Sequence, residues 1–164
     1  MRALFRWASL SALLISPLVQ AAGSVEVQFV QADKFTDAGR GSFDTQHTLK
    51  ALGDHLKALG RQLPDGQTLQ IDVSDIDLAG ELRPARAGSD LRVLRGRADW
   101  PQITLRYSLL AEGKTLKAGE DRLVDLNYLW MSAGLRSNEE FPYERRMLTR
   151  WFGETFKLVT AAKN

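Results

Sequence analysis

The chain has 164 residues, of which 44% are hydrophobic, with 22 lysines and arginines, 20 aspartates and glutamates, two histidines and no cysteine. Its formal charge is +2, and Arg2 and Arg6 account for all of it, because residues 22–164 carry equal numbers of acidic and basic side chains. That balance argues against a strongly basic nucleic-acid binder. The lack of cysteine excludes thiol catalysis and thiolate metal sites, and the length is that of one domain.

Residues 1–21 have the three parts of a secretory signal peptide. Two arginines form the charged start, residues 7–19 form the apolar middle, and Val19-Gln20-Ala21 places small residues before the expected cleavage point. About 12 apolar residues, interrupted by serines and a proline, are too few for the ~20 of a membrane span. The sequence therefore predicts export, removal of residues 1–21, and a single soluble domain formed by residues 22–164.

A strand and a helix are predicted at the start of this domain. Residues 25–29 alternate between apolar and polar side chains, which indicates a half-buried strand. Leucines then recur at steps of three and four from Leu49 to Leu63, which predicts an amphipathic helix. We expect Ser42 or Asp44 to cap its start.

The next predicted strand changes its alternation partway along. Apolar side chains stand at odd positions up to Val73 and at even positions from Ile76 onward. Because side chains alternate strictly along a strand, we expect one extra residue, a β-bulge, near Ser74-Asp75. Three carboxylates then share the face opposite the apolar side chains: Asp72, Asp75 and Asp77.

A loop and a hairpin are predicted after this strand. Residues 79–90 contain two glycines and a proline and are expected to form an exposed, mobile loop, followed by a short strand at residues 91–94. Residues 103–109 alternate again, and Glu112-Gly113-Lys114 predicts a turn. Residues 115–126 are expected to return as the partner strand, with a bulge at its glycine.

A second amphipathic helix is predicted to begin at Pro142, a residue suited to a first helical turn. Two such helices need an apolar surface to cover, and a strand meander offers one buried face. The sequence therefore predicts an α+β two-layer sandwich, a largely antiparallel sheet of four to five strands with two helices on one face. The expected buried stripe of the last helix is Met147, Leu148, Trp151, Phe152, Thr155, Leu158 and Val159.

Short motifs occur in a defined order along residues 22–164. They are Val25-Glu26-Val27, Phe35-Thr36-Asp37, Ile71-Asp72-Val73, Asp77-Leu78-Ala79-Gly80-Glu81, the run from Arg92 to Pro101, Asp125-Leu126-Asn127-Tyr128, and Tyr143, Glu144, Arg146, Trp151 and Phe152. In this combination the chain resembles a family of exported Gram-negative bacterial proteins catalogued as a domain of unknown function, number three thousand and sixteen of that series. The resemblance implies a single-domain periplasmic protein and supplies no catalytic residue, substrate or partner.

The three aspartates admit three interpretations. A calcium site is one, but a calcium loop starting at Asp75 would have Ala79 and Arg86 where oxygen ligands belong. Acid and base carboxylates of a hydrolase are the second. The third, which we favour, is a solvated strand face whose charges pair with nearby arginines such as Arg106.

An arginine-rich segment that ends at a tryptophan follows the aspartates. Its five arginines lie within 15 residues. Guanidinium groups suit phosphates and carboxylates, and an indole adds a stacking surface. The segment is therefore predicted either to neutralise the aspartates or to bind an anionic envelope glycan or lipid head group. Its members are Arg83, Arg86, Arg92, Arg95, Arg97 and Trp100.

The sequence contains no nucleophile elbow, zinc-binding helix or phosphate loop, so it predicts no catalytic residue, metal site or cofactor. The predicted function is a non-enzymatic binding or accessory module of the cell envelope; the alternative is a carboxylate-dependent hydrolase acting on an envelope polymer. We expect an unknown envelope ligand or protein as partner, with no nucleic acid and no membrane span, and the oligomeric state stays open. The candidate binding surface is Asp72, Asp75, Asp77, Arg92, Arg95, Arg97 and Trp100.

Overall fold

The computed structural model describes residues 22–84, 90–130 and 139–161, with side chains of the last helix as far as Phe156. Among these residues, no helix is both long and apolar enough to cross a bilayer. In chain order the helices and strands are β1 Ser24–Phe29, α1 Gly41–Leu59, β2 Gln67–Asp77, β3 Glu81–Pro84, β4 Asp90–Val93, β5 Gln102–Ala111, β6 Lys114–Val124 and α2 Pro142–Ala161.

Four of the strands form one mixed sheet in the order β1-β2-β5-β6. β1 runs parallel to β2, whereas β2 with β5 and β5 with β6 are antiparallel. β3 and β4 form a separate two-stranded antiparallel sheet. The predicted α+β class is confirmed, and β1 is the parallel strand of an otherwise antiparallel sheet.

The hydrophobic core lies between the two helices and one face of the four-stranded sheet. The sheet contributes Leu69, Ile71, Val73, Leu105 and Leu109, none more than 1% exposed. α1 contributes Leu52 and Leu56. The stripe predicted on α2 is confirmed at Met147, Leu148, Trp151 and Phe152; Thr155 is half-buried, and the side chains of Leu158 and Val159 lie outside the described residues.

The β-bulge predicted in β2 is confirmed. Val73 pairs with Leu105 and Asp75 pairs with Thr104, so Ser74 is the extra residue. The bulge restores the burial of the apolar side chains beyond it, because it shifts their alternation by one position. As predicted, Asp72, Asp75 and Asp77 therefore lie on the face of the sheet that the helices leave open.

The start of α1 differs from the prediction. The residue before its first turn is Arg40, whose side chain makes no capping hydrogen bond. Gly39 and Gly41 both have positive φ, at 114° and 76°. They turn the chain into the helix early, so Ser42 and Asp44 already lie inside its first turn.

Two further predictions were wrong in the strand region. Residues 81–84 are not a loop but β3, paired with β4; residues 85–89 lie outside the described residues. The hairpin of β5 and β6 has its bulge opposite Leu109 and Leu110, not at Gly119. Gly119 instead faces Tyr107, whose hydroxyl oxygen would lie 2.8 Å from an added Cβ, so glycine makes room for the tyrosine ring.

Candidate functional site

The open face of the four-stranded sheet carries a shallow depression of about 610 Å³ beside Asp72. Asp72 is exposed and lies opposite Arg106 in the register of β2 and β5. Arg106 however pairs with Glu120 on β6, with 3.2 Å between Nη2 and Oε2, so Asp72 keeps its carboxylate free of ion pairs with the described residues. The remaining lining is half polar, from Glu26, Gln28, Gln70 and Ser108, and otherwise consists of Ile71, Tyr107, Ala118 and Gly119.

The other two aspartates of β2 contact the loop before α1. Asp75 accepts hydrogen bonds from the backbone N–H and the hydroxyl of Thr36, at 2.8 and 2.9 Å. Burial raises the pKa of the Asp77 carboxyl, and the nearby carboxylates of Asp37 and Asp75 raise it further, while Arg92 opposes them. Asp77 therefore has the raised pKa that suits a general acid.

Arg92 connects β4 to that same loop. Its Nη1 and Nη2 donate to the two carboxylate oxygens of Asp37, at 2.8 and 3.2 Å, and both side chains are only about a quarter exposed. Nη1 also lies 3.3 and 3.2 Å from the carbonyl oxygens of Ala79 and Gly80. A ligand at Arg92 would have to compete with all of these protein acceptors.

A buried glutamate on α2 contacts the turn after β2, the same Ala79-Gly80 segment whose carbonyl oxygens lie near Arg92. Glu144 is in the first turn of α2, is 2% exposed, and accepts the backbone N–H of Ala79 at 2.8 Å. Burial raises the pKa of its carboxyl, whereas the Ala79 hydrogen bond and the charge of Arg92 oppose that shift. Glu144 therefore binds the N–H of Ala79 in the turn after β2, and Arg92 binds the carbonyl oxygens of Ala79 and Gly80 in the same turn.

The loop after β4, which carries Arg95 and Arg97, is fixed through its backbone. The Asp99 carboxylate accepts the N–H of Arg95 and, at 3.1 Å, that of Arg97, while the Gly96 N–H donates to the Tyr128 hydroxyl at 3.2 Å. Tyr128 is 1% exposed, and burial raises its pKa to about 12. The exposed guanidinium groups of Arg95 and Arg97 make no hydrogen bond or ion pair with any described residue.

The turn after β6 exposes two large apolar side chains. The carbonyl of Asp125 accepts the N–H of Tyr128 at 3.2 Å, and the carbonyl of Asn127 accepts the N–H of Trp130 at 3.0 Å. This turn buries Tyr128 but leaves Leu126 60% and Trp130 88% exposed. Contiguous exposed apolar patches often mark interaction surfaces.

The two histidines of α1 have separate surroundings. His47 lies 3.2 Å from the carboxylate of Glu140. His55 Nε2 lies 3.0 Å from the carbonyl oxygen of Arg145 and 2.9 Å from the hydroxyl of Thr149, and burial lowers the pKa of His55. Within residues 22–84, 90–130 and 139–161, no three His, Asp or Glu side chains lie close enough together to hold a metal ion.

The structure divides the candidate surface into three parts. The aspartates line β2, Arg92 is bound by Asp37, and Arg95 and Arg97 project from the next loop. Trp100 is half-buried. Arg92 forms its ion pair with Asp37, and its charge also acts on Asp77, whose pKa it lowers.

Several residues that shape these parts had no signal in the sequence. The partners of Asp37, Tyr128 and Glu144 lie tens of positions away, whereas Asp99 accepts the N–H groups of nearby residues. All except Trp130 stand within the motifs that carry the family resemblance, which was the one indication of their importance. These residues are Asp37, Asp99, Tyr128, Glu144 and Trp130.

Comparison with known proteins places the chain in one family. No curated protein and no solved structure matches it. A family model matches residues 23–154, a range that includes all strands of both sheets and most of α2. The family is described as a protein of unknown function, and the matched range contains every motif that carries the resemblance. The chain therefore belongs to the family of proteins of unknown function DUF3016.

Proposed function

We propose that residues 22–164 act in the periplasm as a non-enzymatic module that binds an anionic component of the cell envelope through Arg95 and Arg97. One observation carries the proposal: both guanidinium groups are exposed and make no ion pair with the described residues, while Asp99 holds the backbone that bears them. Guanidinium groups bind phosphate and carboxylate with paired hydrogen bonds. A fixed backbone reduces the conformational entropy that binding would otherwise remove.

The contrast with other arginines supports this choice of loop. Five arginines elsewhere in the described chain already have acidic partners within the protein, at distances of 2.7 to 3.2 Å. Such groups are neutralised before any ligand arrives. The paired arginines are Arg40, Arg83, Arg92, Arg106 and Arg146.

Sedimentation of the purified domain with isolated bacterial envelopes tests the binding. At about 0.1 M ionic strength, where charges are screened beyond ~10 Å, the double variant R95A/R97A should bind at least about tenfold more weakly than the wild type. The matched control is K57A/R61A, which also removes two exposed positive charges, one in the last turn of α1 and one just after it. Equal binding by R95A/R97A and the control would refute the proposal.

The periplasmic location rests on the signal peptide predicted in residues 1–21. The full chain, expressed in a Gram-negative host, should be released by osmotic shock with a mass that begins at Ala22. Replacing Ala21 with leucine should block cleavage, because the position before the cut accepts only small side chains. Recovery of the full chain from the cytoplasm, with residues 1–21 still attached, would contradict this part of the proposal.

A carboxylate-dependent hydrolase that acts on an envelope polymer is the second candidate. The raised pKa of Asp77, beside Asp75 and Asp37, is the observation that favours it, because hydrolysis of glycosides uses one protonated and one ionised carboxyl group. The domain should then release sugar ends from envelope polysaccharide, and Asp77→Asn should abolish this release while Asp72→Asn leaves it unchanged. Release no faster than in a protein-free blank would remove this candidate.

A further inference from the structure

We infer that the envelope component is the surface of a bilayer containing anionic phospholipid, and that Arg95, Arg97, Leu126 and Trp130 contact it. The inference rests on the proposed function and names its ligand. These four residues are called the lipid-contact surface below. Arginines would meet the lipid phosphates, and the leucine and tryptophan would enter the interface between head groups and acyl chains.

The two loops that carry the lipid-contact surface are packed directly on each other. The N–H of Gly96 donates to the hydroxyl of Tyr128 at 3.2 Å, and a Cβ added at Gly96 would lie 2.7 Å from Cδ1 of Leu129. Gly96 stands between the two arginines, and Leu129 immediately precedes Trp130. The backbone segments that bear the two arginines and Trp130 are therefore neighbours in the fold.

The two apolar members of this surface flank a buried tyrosine in the turn after β6. Tyr128 is drawn inward by its hydroxyl contacts and by the ring of Tyr143, whose centroid lies 4.9 Å from its own. Leu126 and Trp130, two positions away on either side, remain 60% and 88% exposed. An indole has an apolar ring and a polar N–H, and it is enriched where membranes meet water.

The shape of the lipid-contact surface favours a bilayer over a small soluble ligand. Ligand sites for small molecules are concave, and four depressions among the described residues, of about 610, 530, 250 and 220 Å³, are lined by residues other than these four. Free phosphate would engage the two arginines and leave Leu126 and Trp130 in water. A bilayer accepts side chains that project, and its anionic lipids attract the arginines at the same time.

The expected strength of this contact is modest. A basic side chain near an anionic bilayer strengthens binding about fivefold, so losing both arginines should weaken it about 25-fold. Losing the indole of Trp130 should weaken it about tenfold, which is at the low end for a large buried apolar side chain. Binding should also weaken as salt is raised, because residues 22–164 have no net charge and only the local arginines attract the lipid.

Flotation of the domain with vesicles tests the inference. One set of vesicles is phosphatidylcholine alone, and the other contains roughly a third phosphatidylglycerol. Only the second should bind the wild type, with a blue shift of tryptophan fluorescence that the variant W130A lacks. F43A is the matched control for W130A, since Phe43 is 81% exposed on α1, and K57A/R61A is the control for R95A/R97A. Both controls should bind as the wild type does, and unchanged unfolding midpoints will show that all variants are folded.

Three results would overturn the lipid inference: equal binding to both kinds of vesicle, wild-type binding by W130A, or displacement from vesicles by soluble glycerol phosphate at matched phosphate concentration. If binding to envelopes still depended on Arg95 and Arg97 in any of these cases, the proposed function would stand without its lipid ligand. Loss of that dependence would overturn both.

Discussion

Replacing Gly80 with alanine tests the turn that leads from β2 into the hairpin of β3 and β4. Gly80 has φ of +83°, a backbone conformation that costs a residue with a Cβ about 1–2 kcal/mol. An added Cβ would also lie 2.7 Å from the carbonyl oxygen of Val93 and 2.6 Å from Cδ2 of Leu94. The leucine can rotate away, but the carbonyl belongs to the backbone of β4.

The clash is therefore relieved only by moving β4, and β4 carries Arg92 with its hydrogen bonds to Asp37 and to the Gly80 carbonyl. Overpacking of this kind costs about 1–3 kcal/mol. Together with the backbone conformation, the change at Gly80 should lower the free energy of unfolding by about 2–5 kcal/mol. That is a large fraction of the free energy of unfolding of a typical domain, which is roughly 5–15 kcal/mol.

Gly113 provides the matched control. Its φ is +73°, and no atom lies within 4 Å of an added Cβ, so Gly113→Ala should show only the backbone cost of about 1–2 kcal/mol. Urea unfolding of the two variants, followed by circular dichroism, measures the difference, which should be about 1–3 kcal/mol. Equal losses at Gly80 and Gly113 would refute the close approach of Val93 to Gly80.

Three other predictions use the same unfolding measurements. Arg92→Ala should lower the free energy of unfolding by about 1.5–3 kcal/mol, because it removes charge-assisted hydrogen bonds. Arg106→Ala, at an exposed ion pair, should cost under about 1 kcal/mol. Equal losses would contradict the difference in burial between these two ion pairs. Burial lowers the pKa of His55, so the fold holds the neutral ring and stability should fall as the pH drops through about 6.5. H55Q should lose that part of the pH dependence, and H47Q should retain it. Burial raises the pKa of Tyr128 to about 12, so the fold favours the protonated hydroxyl. Its contribution to the free energy of unfolding should be complete below about pH 10 and should be lost as the pH rises toward 12. A loss of stability of the same size in Y128F would show that another group is responsible.

Local periodicity was enough to predict the main secondary structure and one irregularity. The change of alternation between Val73 and Ile76 located the bulge of β2, because a buried face tolerates no slip of one residue. The same reasoning placed the buried stripe of α2 at Met147, Leu148, Trp151 and Phe152. Each of these features depends on neighbours within a few positions.

Features that depend on contacts between distant segments were missed or misplaced. β3 is four residues long and mostly exposed, so it shows no alternation that distinguishes it from a loop. Gly119 looked like a bulge, but its role comes from Tyr107 on the neighbouring strand. A short edge strand and a glycine beneath an aromatic ring are recognisable only once the pairing of strands is known.

The sequence alone was sufficient for the α+β class, the family and the common face of the three aspartates, since each follows from order and spacing along the chain. It also showed that the charge of +2 belongs entirely to the first 21 residues. Where the partners are far apart in the sequence, only the tertiary structure decided which charged side chains form ion pairs. Arg92 pairs with Asp37, 55 positions away, whereas Arg95 and Arg97 have no acidic partner among the described residues, and no spacing along the chain distinguishes these two cases.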